Sequence, residues 1–94
     1  MRNDEEPRQA VALKYEHEKD RAPRVVAKGA GYVAENIVKI ARQSDVLVYR
    51  DRVLTAILMA VELDREIPPQ LYKAVAEVLA YVYRVDRAWG NRRS

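Results

Sequence analysis

The sequence has no cysteine, one histidine and two serines, and these shortages remove most covalent chemistry. Without cysteine there is no disulfide and no thiolate metal site, which fits a reducing compartment. The lone His17 sits in the charged stretch Glu16-His17-Glu18-Lys19-Asp20-Arg21, with no second histidine to share a metal, so it reads as a solvated side chain. The acidic residues of that stretch alternate with Lys19 and Arg21, and a calcium loop needs more carboxylates and a glycine turn. Neither Ser44 nor Ser94 has a G-x-S-x-G context. No nucleophile–base pair can be assembled, so the chain reads as a non-enzyme. No apolar run approaches the roughly 18 residues of a membrane span. The start, Met1-Arg2-Asn3-Asp4-Glu5-Glu6-Pro7, is acidic and has no apolar h-region, so it is not a secretory signal. These features place the chain in the cytoplasm.

What is present is an ordinary soluble composition, 49% apolar and 33% charged, over 94 residues: enough for one core and not for two. The formal net charge of +3 is not spread over the fold. Arg84, Arg87, Arg92 and Arg93 against Asp86 supply all of it, and residues 1–83 balance. A nucleic-acid binder spreads a basic face over its fold, so no nucleic-acid partner is expected. The divisions read as a disordered segment 1–7, a domain 8–84 and a frayed basic tail 85–94.

The centre of the chain is the stretch from Pro23 to Arg50. The run Arg24-Val25-Val26-Ala27-Lys28 predicts a buried strand, broken by Gly29-Ala30-Gly31. Ala30, Val33, Ala34, Ile37, Ile40 and Ala41 then recur at helical spacing, with Glu35 and Lys39 four apart as a helix-surface pair. Gln43-Ser44-Asp45 ends the helix, and Val46-Leu47-Val48-Tyr49 predicts a second strand, completing a parallel βαβ crossover. Before this unit, Arg8 to Tyr15 alternates as strand one. After it, Asp51 caps a second, mostly buried helix. Asp64 to Pro69 is a linker. A third helix runs from Gln70 to about Tyr83 with Leu71, Val75, Val78, Leu79 and Val82 as its core stripe, and Trp89-Gly90-Asn91 is an end signal. The expected fold class is α/β: a small mixed sheet of three to four strands containing one βαβ unit, packed with three helices.

Two motifs carry candidate chemistry. Gly29-Ala30-Gly31-Tyr32-Val33-Ala34 has the spacing of a dinucleotide fingerprint, and Asp51 falls about 20 residues later, as a ribose-binding acid does. Free N–H groups at the helix start would attract phosphate. The second mononucleotide half is missing, however, and the plainer reading is that both glycines let strand turn tightly into helix. Nucleotide or anion binding there is the alternative function; no cofactor is expected. Tyr72, Tyr81, Tyr83 and Trp89 gather around the third helix, where packing explains Tyr72 and a partner-facing patch explains Tyr83 and Trp89.

Three blocks together resemble a known family. Ala10-Val11-Ala12-Leu13-Lys14-Tyr15, then Ala22-Pro23-Arg24-Val25-Val26-Ala27-Lys28-Gly29-Ala30-Gly31, then Glu66-Ile67-Pro68-Pro69 running on to Tyr83, are similar to the C-terminal cytoplasmic domain of the FlhB family. That family is the substrate-specificity switch of flagellar and type III secretion export. The resemblance implies partners among export apparatus proteins and export substrates, with the membrane reached only through them. Family members carry a membrane domain first, so a free-standing version is expected here. They also cleave themselves at an Asn-Pro-Thr-His turn, which falls ungapped on Glu5-Glu6-Pro7-Arg8. Glu5 has no side-chain amide to attack its own carbonyl, so no self-cleavage is expected. The resemblance further implies that the strand carrying Val11, Leu13 and Tyr15 lacks its usual partner strand and presents an edge for docking, the alternative being that residues 1–7 or a loop covers that edge. It also implies an apolar patch of Ala22, Pro23, Ala76 and Leu79 that receives export substrates, although Leu79 also fits plain core.

Overall fold

The computed structural model describes residues 8–16 and 18–93, with side chains through residue 84. The element order is β1 (Gln9–Lys14), β2 (Arg24–Ala30), α1 (Tyr32–Gln43), α2 (Arg52–Leu58), a single 3-10 turn (Pro69–Leu71) and α3 (Tyr72–Arg93). β1 and β2 pair antiparallel, Gln9 opposite Ala30 and Lys14 opposite Arg24, with a register shift after Ala12 that leaves Val26 as the extra residue. α1 lies against both strands, and α2 lies against β1. Val11 and Leu13 pack on a buried cluster of Ala22, Leu54, Leu58, Ile67 and Val75, which gathers the loop before β2, α2, the strap before α3, and α3 itself. Alternation along β1 turns Ala10 and Ala12 the other way, towards α1 and its buried Ala34.

The expected mixed sheet with a βαβ unit is not formed: among the described residues the sheet is the two-stranded pair. Val46-Leu47-Val48-Tyr49 is exposed along its length and pairs with no strand. The reason is local. Asp45 takes a left-handed φ of 59°. The Val46 and Asp45 N–H groups donate to Ala41 O and Arg42 O, at 2.8 and 3.3 Å. This is the Schellman closure of α1, and it sets the direction in which the chain leaves. Tyr49 then rests edge-on against Tyr81 of α3, ring centres 5.2 Å apart, so a ring contact anchors the segment where a ladder was expected.

Two further expectations change. α2 is short and only Leu54 and Leu58 are buried, while Val53 is 72% exposed: a helix touching the rest of the molecule on one side buries one stripe. α3 does not stop near Tyr83, and its backbone stays helical through the Trp89-Gly90-Asn91 signal to Arg93. One internal glycine costs only about 1 kcal/mol. The 1–7 segment and His17 lie outside the described residues.

The acidic N-cap is as expected: Asp51 Oδ1 accepts from Leu54 N at 3.0 Å. The other end of α2 is held by Lys28, whose Nζ donates to Met59 O and Val61 O, both at 2.8 Å, tying β2 to the turn after the helix. Lys28→Met keeps the stem and removes the donors, so two carbonyls lose a charged partner. The expected cost is about 2 kcal/mol, read as a lower urea midpoint with an unchanged slope.

Candidate partner-binding surfaces

β1 is paired along one edge, and along the other it has no backbone partner among the described residues. Its inner edge pairs with β2. Among the described residues no backbone hydrogen bond reaches residues 9–14 from any other neighbour. The far side of β2 is closed at residues 23–25, where Val25 N donates to Arg65 O at 3.0 Å, Asp64 N to Val25 O at 2.7 Å and Ile67 N to Pro23 O at 2.8 Å. Val11 and Leu13 are half-buried and face the cluster, so the open edge offers backbone groups more than those side chains. Tyr15 follows the strand and is exposed. Just beyond it, Lys14 Nζ lies 2.9 Å from Glu16 Oε1. Hydrogen bonding to and attraction by Lys14 hold the Glu16 carboxyl below its ordinary range. A depressed carboxylate keeps its small contribution at neutral pH and loses it as acid protonates the group.

The loop ahead of β2 is fixed from below and above. Asp20 Oδ2 accepts from Glu16 N at 3.0 Å, and Asp20 Oδ1 sits 3.1 Å from Arg24 Nε as an ion pair not aligned as a hydrogen bond. Arg21 N donates to Glu66 Oε2 at 3.1 Å. Ala22 and Pro23 are buried as a result, with Ala22 in the central cluster beside Val75. On α3, Ala76 is turned about 100° from Val75 and Leu79 about 40°, and both are exposed, Leu79 by 36%. The four residues expected to share one patch therefore divide. Two form the surface, and two lie in the packing under it.

The Gly29–Ala34 turn has a structural account for each glycine. A Cβ on Gly29 would lie 2.6 Å from Val33 Cβ and closer still to its Cγ1, because α1 folds straight back onto β2. Gly31, at φ 58° and ψ −127°, takes a backbone state that side-chain residues rarely reach, and caps α1 with no side-chain hydrogen bond. Asp51 is engaged as the α2 cap, away from any ribose role. No cluster of histidine, aspartate and glutamate able to hold a metal occurs among the described residues, and no helix there is long and apolar enough to cross a membrane.

Sequence reasoning passed over Lys28, Glu66 and Tyr49. The one available signal was Lys28 itself, a lone charge inside an apolar strand, which requires a partner when half-buried.

Against known proteins, residues 7–82 match the model of the family described as FlhB HrpN YscU SpaS. The chain belongs to that family. It is 42% identical to the Bacillus subtilis (strain 168) protein YlqH over 86 residues, which is 92% of each chain. It is 54% identical to the flagellar biosynthetic protein FlhB of Aquifex aeolicus (strain VF5) over 74 residues, 78% of this chain and 21% of that one. The chain thus spans about a fifth of the length of the FlhB proteins that it matches. Its fold is similar to the crystal structure of the cytoplasmic domain of FlhB from Shewanella putrefaciens, with a TM-score of 0.85 at 38% identity over 90% of this chain and 67% of that one. The PscU C-terminal domain follows at a TM-score of 0.74 and 27% identity, covering 79% of this chain and 95% of that one.

If the glycine account is right, Gly29→Ala destabilises the domain by about 2 kcal/mol through overpacking, and adding Val33→Ala recovers at least half of that loss. Thermal unfolding of the two single variants and the double variant measures the coupling.

Proposed function

We propose that this chain is a non-enzymatic, FlhB-like module of flagellar or type III protein export, acting in the cytoplasm by offering surfaces to export apparatus proteins and export substrates. The observation that carries the reading is the far edge of β1, to which no backbone partner is bonded among the described residues. A two-stranded sheet is marginal by itself, and a strand added along β1 supplies the backbone partners it lacks. The donor is an extended segment of a membrane-bound relative, and the chain thereby stands in for the relative's own cytoplasmic fragment. Specificity switching follows from what the completed module then displays. Ala76 and Leu79 make the apolar contact with substrate, while Ala22 and Pro23 set its shape from beneath. The geometry of Gly29, Gly31 and Asp51 leaves the nucleotide alternative without a supporting observation.

Two measurements test this. A full-length relative truncated before its own cytoplasmic domain should retain this protein in a pull-down, and no association would remove the docking role. Ala76→Asp, at an exposed helical position, should weaken export-substrate binding at least about tenfold with little change in melting temperature, since a charge is desolvated in an apolar contact. Unaltered substrate binding would remove the patch.

A further inference from the structure

α1 buries one face on the strands and leaves an apolar stripe on the other. Tyr32 is 85% exposed, Val33 52% and Ile40 61%, and Asn36 lies on the same outward side. On the flank of that stripe stand Glu35 and Lys39, one turn apart. Their spacing predicts an ion pair within the helix, yet among the described residues neither makes one. Both charges are left for another molecule.

We infer that this face of α1 pairs with the same face of a second copy of the chain, the two helices antiparallel about a two-fold axis at Asn36. The pattern is self-complementary in that arrangement. Tyr32 and Val33 of each copy meet Ile40 of the other, and the two Asn36 amides face each other. In an isologous antiparallel contact like flanks meet, so Glu35 of each copy comes beside Lys39 of the other, giving two symmetric ion pairs. A parallel two-fold pairing would instead bring opposite flanks together, so Glu35 and Lys39 would face the apolar flank and gain no ion pair. Charge therefore selects the orientation, and burial of the apolar stripe supplies the attraction. The contact is one helix of 12 residues, below the roughly 1,000 Å² of a stable interface, so the dimer is weak and concentration-dependent.

The absence of cysteine makes the test direct. Asn36→Cys places a thiol on the two-fold axis, while Lys73→Cys places one on the exposed side of α3. Under mild oxidation of the full chain, Asn36→Cys should form a disulfide dimer at least about tenfold faster than Lys73→Cys, because pairing raises the effective thiol concentration. Adding Ile40→Glu, or Lys39→Glu, should remove the advantage. The swap Glu35→Lys with Lys39→Glu should restore it, since it exchanges the partners and keeps the complementarity. Circular dichroism checks that each variant is folded. Equal rates for the two cysteines, or a charge swap no better than Lys39→Glu alone, would overturn the inference and leave the stripe to a different protein.

Discussion

Three backbone hydrogen bonds between residues 23–25 and residues 64–67 decide how this domain is built. They close the outer edge of β2 with a strap rather than a strand. They seat Ile67 in the cluster with Ala22, Leu54, Leu58 and Val75, and so set where the following 3-10 turn and α3 begin. Arg21 N on Glu66 adds a fourth tie at the same place. The strap closes β2 only at residues 23–25; among the described residues the outer side of residues 26–30 and the far edge of β1 carry no further backbone hydrogen bonds.

This arrangement leaves little buried. Among the described residues the buried side chains are few, and Ala10, Ala22 and Ala34 are among them. Many larger apolar residues stay at the surface, among them Val53, Ile57, Leu79 and the tyrosines of α1 and α3. Under the function proposed above, a small core is consistent with a module that partners complete, because each added surface carries its own stabilisation.

Local rules in the sequence reached far. The alternation of Gln9–Lys14, the start of β2, the helix of α1, its stop at Asp45 and the Asp51 cap each follow from spacing or side-chain chemistry acting within a few residues, whereas the break expected at Gly29 does not occur and β2 runs on to Ala30. The family was legible too, in three blocks whose order the matched residues 7–82 preserve. What was not legible is non-local. Val46-Leu47-Val48-Tyr49 has every mark of a strand, and β-propensity cannot say whether a neighbour is present to pair with it. Ala22 and Pro23 looked like surface because they lie in a polar loop, and they are buried by distant parts of the chain: the strap of residues 64–67 bonds to Pro23, and Ala22 joins Leu54, Leu58, Ile67 and Val75. Lys28 reaches the end of α2 across 31 residues of sequence, a partnership no short window contains.

The account stands on the unpaired edge of β1, and amide hydrogen exchange on the free protein measures that edge most directly. Alternate amides among residues 9–14, those pointing away from β2, should exchange quickly while their neighbours are protected. Protection of every amide from Gln9 to Lys14 in the free protein would show that the edge is already covered, and would contradict strand addition as the working principle.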